Sequence, residues 1–389
     1  VRYIEEIGDP HKIALRTLRL DIMNRYQSQS QKVRIQYSSK NANVSNAWKK
    51  WQGEVKGIRK MKTVETKREY EKDFSKWAKG TEYEGVIDRI AALYAELEPY
   101  QYATDYYSET VRTVELANFA MSTARLFVKE DSTVTLDKGK VAELAETFFK
   151  DYFLPIDKES FTAVMDVYEK NVPEDFKPAF YKENIAKYGN AQAWAEDMFG
   201  NSIFVDEAKV KGLDAEDFEV VKKDPAFLFF NEFLKWYSTD VQPHVVRINR
   251  ELDLAYRDYM RGQMAYAEAL EGTSGKEAFY PDANLTLRVA YGHIKGYSPA
   301  DGVYYTPSST IKGIMEKDNP EIYDYNIPQK LRDLHAAKDY GQWEVDGSVP
   351  VAFIAMNHTS GGNSGSPVLD AEGNLIGVNF DRVWEGTMS

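Results

Sequence analysis

Cysteine is absent from the 389 residues. That removes disulfides, thiolate nucleophiles and zinc–thiolate sites, and it fits a protein that works outside the cytoplasm without thiols. Positive charge is short as well: 49 Lys and Arg stand against 61 Asp and Glu, a formal net charge of −12. Nucleic-acid binding needs basic surface that displaces phosphate counterions, so no nucleic-acid partner is expected. No apolar run approaches the roughly 18–20 residues that span a bilayer, so no membrane insertion is expected. The five histidines are scattered, and no H-E-x-x-H occurs. Neither G-x-x-x-x-G-K-[ST] nor G-x-G-x-x-G is found, so neither a metal nor a cofactor is expected.

Hydrophobic residues make up 43% of the chain and charged residues 28%, a globular composition. The length exceeds one ordinary core, so two domains are expected. Residues 1–276 read as helix. Asp9-Pro10 has the form of a helix start, and Leu15, Leu18, Ile22 and Tyr26 follow at helical spacing. Val245, Ile248, Leu252, Ala255 and Tyr259 lie 3-4-3-4 apart, one apolar stripe of a long helix that Pro243 is expected to open. The charge run 59–73 reads as a solvated helix face, and the aromatic stretch 224–238 as core. The pattern changes at 272–284, which is dense in turn formers. Beyond it Leu285, Leu287, Val289 and Tyr291 alternate with smaller or polar residues, which predicts a strand. Residues 349–356 and 374–380 predict two more, and 370-DAEGN-374 a hairpin turn. Residues 277–389 are thus expected to form a β-rich second domain.

The stretch 361-GGNSGSPVLD-370 carries the chemistry. Acyl transfer needs a rigidly held serine and backbone N–H groups aimed at the developing oxyanion. Glycines allow the tight backbone that directs several N–H groups into one hollow. Ser364 is the candidate nucleophile, with the N–H groups of Gly362 and Ser364 as the oxyanion hole; a Gly-rich turn with a structural serine is the alternative. The order of strand, Gly-rich serine loop, Ser-Pro, short strand and hairpin resembles the nucleophile region of chymotrypsin-like serine peptidases. There the chain order is His, Asp, Ser. None of His11, His244, His293, His335 and His358 suits the general base. His11 and His244 fall in helical stretches, and His358 lies too close before the serine, toward the base of the substrate pocket.

The segment 357-NHTSGGNSGSPVLDAEGNLIGVNFDRVWEGTMS-389 resembles peptidase family S46, with support from 38-SSKNANVSNAWKKWQG-53 and 303-VYYTPSSTIKGIMEKDNP-320. The resemblance implies an α+β protein: a large helical cap domain, then part of the second barrel of a chymotrypsin-like double β-barrel catalytic domain. It implies a piece of a longer protein, which agrees with a start at Val1-Arg2-Tyr3-Ile4 and an end at 386-GTMS-389. The catalytic His and Asp are then expected upstream of this chain, and the piece alone is expected to be inactive. Family members remove dipeptides from free N-termini through an acyl-enzyme on the residue that matches Ser364. Asp381 matches the family's anchor for the substrate's α-ammonium, and Asn46 its second ligand; a carboxylate pairs with the charge while both side chains accept its protons. Read alone, Asn46 would be a helix N-cap and Asp381 a surface strand residue. Arg382 matches the position that separates acidic from apolar preference at the second substrate residue, where apolar-preferring members have glycine. A guanidinium there offers paired donors to a substrate Asp or Glu, unless it pairs with an acid such as Glu385 or faces solvent. Bacterial periplasmic or cell-surface location and a homodimer are further implications of the resemblance. The alternatives are apolar specificity on the same fold, an inactive helix-rich binding protein, or an endopeptidase.

Overall fold

Helix formers spaced for one-sided burial dominate the first part of the chain, and it folds accordingly. The structure is a computed structural model that describes residues 1–271, Phe279 and residues 285–386. The chain divides into two compact units, Val1–Tyr280 and Pro281–Ser389. The expected boundary at 276/277, and the turn-rich stretch 272–284, lie outside the described residues except at Phe279.

The first unit contains α1 (Asp9–Gln29), α2 (Gln31–Lys60), α3 (Thr63–Trp77), α4 (Val86–Glu109) and α5 (Glu115–Ala124). A hairpin follows, β1 (Phe127–Glu130) with β2 (Thr133–Leu136). Then come α6 (Lys138–Lys150), α7 (Leu154–Asn171), α8 (Ala179–Tyr188), α9 (Ala191–Asn201), α10 (Glu207–Lys211), α11 (Phe218–Lys223), α12 (Pro225–Trp236) and α13 (Gln242–Glu271). The largest core is aromatic. Phe227, Phe229, Phe230 and Phe233 of α12 are buried against Phe161, Tyr168, Tyr181 and Trp194. Asp224 caps α12 by accepting from the N–H groups of Ala226 and Phe227. The predicted stripe of α13 seats Ile248, Leu252 and Ala255 on Leu93 and Leu97 of α4.

Two helix starts differ from the sequence reading. Asp9 is buried and already helical, because a π-turn over Ile4–Gly8 leads into α1; it pairs with Lys12 at 3.0 Å. Pro243 is the second residue of α13, in keeping with the expected start, but the chain enters that helix from a helical segment and not from a loop. The π segment Tyr237–Val241 joins α12 to α13 without a break. A proline has no N–H to return to the preceding turn, and the widened π turn just before it absorbs that mismatch.

The second unit holds β3 (Tyr297–Ala300) paired with β4 (Val303–Tyr305), then β5 (Ser308–Thr310), α14 (Ile311–Glu316), α15 (Gln329–Ala337) and β6 (Pro350–Phe353), which pairs with β5. The last pair is β7 (Pro367–Leu369) with β8 (Leu375–Val378), the hairpin predicted around 370–374. Among the described residues each sheet has two strands. The strand predicted over 285–291 is not formed. Leu285 sits at φ +64°, outside the extended region, and Leu285, Leu287, Val289 and Tyr291 are exposed. Pairing begins later: Ile294 bridges Ala355, and Lys295 N–H donates to the Ile354 carbonyl. No described helix is long and apolar enough to cross a membrane.

Candidate active site

The serine loop is built from its own hydrogen bonds. Asn363 closes the turn twice: its N–H donates to the Ser360 carbonyl at 3.2 Å, and its Oδ1 accepts from Ser360 N–H at 2.8 Å. Ser366 N–H donates to the Asn363 carbonyl at 3.0 Å. Gly365 N–H donates to Asn379, and Asn379 N–H to Ser366, extending the β7–β8 ladder to the serine. Asn379 Nδ2 adds a bond to the Asn363 carbonyl at 3.1 Å. Gly362 and Gly365 stand at φ +96° and +87°, conformations open to glycine and costly to other residues.

Within this scaffold the N–H groups of Asn363, Gly365 and Ser366 are paired. Those of Gly362 and Ser364 have no acceptor among the described residues, so they are available to an incoming oxyanion. Ser364 is exposed, and its Oγ donates to the Phe380 carbonyl at 3.3 Å. Among the described residues no imidazole is bonded to it.

The segment after β8 carries the other two residues. Asp381 lies beyond the strand end at Val378, not on the strand as expected. Its ladder stops where the backbone turns, and the exposed carboxylate folds back so that Oδ1 accepts from Arg382 N–H at 2.8 Å. Arg382 is half-buried, with Nη1 donating to the Gly386 carbonyl at 3.4 Å. Glu385 accepts from the Tyr297 hydroxyl at 2.6 Å, and burial together with that carboxylate raises the phenol's pKa. Tyr297, Met356 and Val383 help to line a shallow hollow of about 470 Å³ that reaches the residue next to Arg382.

Asn46 belongs to the first unit. It is exposed in the middle of α2, so the N-cap alternative does not hold; Ser30 is the cap, accepting from Val33 N–H. On its other side α2 is tied to α1: Trp48 donates Nε1–H to Thr17 Oγ1 at 2.9 Å, and Arg16 holds the Val44 carbonyl. Ser364, Gly362, Asp381 and Arg382 are thus brought together in the second unit, with Asn46 in the first. Among the described residues no group of three or more His, Asp or Glu could hold a metal ion.

Comparison with known proteins gives the family. The chain is 36% identical to the Asp/Glu-specific dipeptidyl-peptidase of Flavobacterium psychrophilum, over 98% of this chain and 54% of that protein. It is 37% identical to the enzyme of the same name from Capnocytophaga gingivalis, over 100% of this chain and 55% of that protein. Dipeptidyl-peptidase 7 of Phocaeicola vulgatus is 34% identical, over 96% and 52%. The crystal structure of Porphyromonas endodontalis DPP11 in complex with the dipeptide Arg-Glu matches with a TM-score of 0.82 at 30% identity, covering 99% of this chain and 55% of that one. The chain therefore spans about half the length of the curated relatives it matches. The sequence model described as Peptidase S46 matches residues 1–389, and the chain belongs to that peptidase family.

Proposed function

We propose that this chain supplies the nucleophile, oxyanion donors and substrate anchors of a serine dipeptidyl-peptidase that releases dipeptides with Asp or Glu in second position from free N-termini. The observation that carries the reading is the Ser364 loop, where the N–H groups of Gly362 and of the serine itself have no acceptor among the described residues. In this reading Ser364 Oγ leaves the Phe380 carbonyl and attacks the peptide carbonyl. The oxyanion takes the N–H groups of Gly362 and Ser364, donors worth about 3–4 kcal/mol each in comparable enzymes. The Ser364 proton passes to the general base and from it to the leaving amine, which departs; water activated by the same base then resolves the acyl-enzyme. The general base and its orienting carboxylate come from sequence outside this chain, in the first barrel of a chymotrypsin-like domain whose second barrel begins here.

Asp381 holds the substrate ammonium, and Asn46 is the second ligand that the family resemblance implies. That requirement makes the enzyme an exopeptidase. Arg382 pairs with the carboxylate of the second residue. An apolar residue would leave the guanidinium desolvated without a partner, a cost of about 2–5 kcal/mol, or tens to thousands-fold in rate. The reading carries with it an extracytoplasmic bacterial location and a homodimer.

The test uses the full-length protein and two free-amine dipeptidyl reporters that differ only in the second residue, Asp or Leu. We expect kcat/KM to favour Asp by at least tenfold, and Arg382→Gly to remove that preference. A Leu preference overturns the acidic pocket while leaving the peptidase. Cleavage of N-acetylated peptides overturns the Asp381 anchor.

A further inference from the structure

Two exposed arginines of the first unit line one cavity and have no acidic partner among the described residues. The cavity, about 330 Å³, lies where the end of α4, the turn after it and α5 meet α12 and α13. Arg112 comes from the 3₁₀ turn Val111–Thr113 and Arg125 from the residue that ends α5. Among the described residues neither guanidinium has a hydrogen bond or ion pair, and no Asp or Glu lines the cavity. Elsewhere in this unit Arg16, Arg25 and Arg247 are all paired with carboxylates.

The remaining walls are ordered. Tyr107 is buried and stacks on Tyr237, with centroids 4.5 Å apart and planes 9° from parallel. Tyr237 opens the π segment that joins α12 to α13, so this wall is set where the helix is widened. Ser122 and Gln242 add polar groups, and Asn118 Nδ2 holds the Arg112 turn by donating to its carbonyl at 3.0 Å. Arg112 and Arg125 line the same cavity as the Tyr107 ring, and burial raises the pKa of that phenol while the two cations oppose the shift.

We infer that this cavity is a binding site for a small organic molecule bearing an oxyanion, held by Arg112 and Arg125 above the Tyr107–Tyr237 pair. Guanidinium forks match the planar edge of a carboxylate and the face of a phosphate, and the stacked rings offer an apolar floor. All its lining residues belong to the first unit, and the serine loop to the second.

Isothermal titration of the chain with succinate and with inorganic phosphate, at matched ionic strength, tests it. We expect saturable one-to-one binding of at least one probe; which one binds separates a carboxylate from a phosphate ligand. R112Q/R125Q should weaken that binding at least tenfold. Ser122→Glu, which keeps both arginines but places a carboxylate on the lining, should do the same should the double variant fold poorly. The charge-matched control K67Q/R68Q, on the exposed face of α3, should bind as the parent does. Absence of saturable binding of both probes overturns the inference, as does equal loss in the control.

Discussion

At the scale of single residues the molecule uses burial to change what a side chain does. Asp157 on α7 is fully buried and accepts from Glu115 N–H at 2.9 Å and Leu116 N–H at 2.8 Å, which caps α5 from a distance in sequence. Burial, then the neighbouring Glu115 charge, push its pKa up to about 7, against the two backbone donors and the Tyr152 hydroxyl. A carboxyl raised in the folded state stabilises below its unfolded pKa and loses that contribution as pH rises through the folded value. Stability from this group therefore declines between about pH 4 and pH 7, by on the order of a few kcal/mol. Urea unfolding across that range, on the parent and on Asp157→Asn, checks the sign. The parent's advantage over the variant should shrink as pH rises, on top of a pH-independent loss of about 0.5–2 kcal/mol for the weakened cap. A constant difference would mean the carboxyl is ionised throughout. In the serine loop the same scale works through backbone: positive φ at Gly362 and Gly365 leaves selected N–H groups without acceptors.

At the scale of elements, packing separates positions that look alike in sequence. Leu252 and Val246 are both aliphatic residues of α13. Leu252 is 3% exposed against Leu93 and Leu97, while Val246 is 60% exposed. Leu252→Ala should cost about 2–5 kcal/mol through lost contacts and the cavity left behind. Val246→Ala should change stability by about 0.5 kcal/mol or less. Chemical denaturation of both variants compares them, and equal losses would mean α13 does not pack on α4 as described. Arg247 ties the same pair of helices through Glu96, a surface pair that adds little beside the apolar seam. Elements also explain where the sequence reading slipped. An aspartate before a proline caps a helix only when the chain enters from a non-helical segment, and at Asp9 it enters from a π turn; α13 does start beside Pro243, but it too is entered from a π segment. Alternating apolar residues over 285–291 satisfy the period of a strand, but a strand exists only against a neighbour's hydrogen-bonding edge. That pairing falls at Ile294 and Lys295 instead.

At the scale of the whole molecule, the second unit carries a serine loop whose hydroxyl bonds to a backbone carbonyl, in a chain that spans about half of its relatives. Residues 1–389 alone should give neither turnover nor a burst of acylation with an Asp-containing dipeptidyl reporter. The full-length protein should give both, and Ser364→Ala in it should abolish them. Turnover by residues 1–389 alone would show that the base lies within this chain and would overturn its assignment to sequence elsewhere.

Sequence alone determined the helical first part, the β7–β8 hairpin, the aromatic core of α12 and the family, because each is written in local spacing or in a contiguous motif. The place of Asp381-Arg382 just after the serine loop is likewise a matter of one continuous segment. Only the tertiary structure decided that Asn46 is an exposed mid-helix residue and that α12 and α13 form one helical path. It alone brought Arg112 and Arg125 to one cavity. Those outcomes depend on which distant segments meet, and hydrogen-bond partners and burial are properties of that meeting rather than of any stretch of chain.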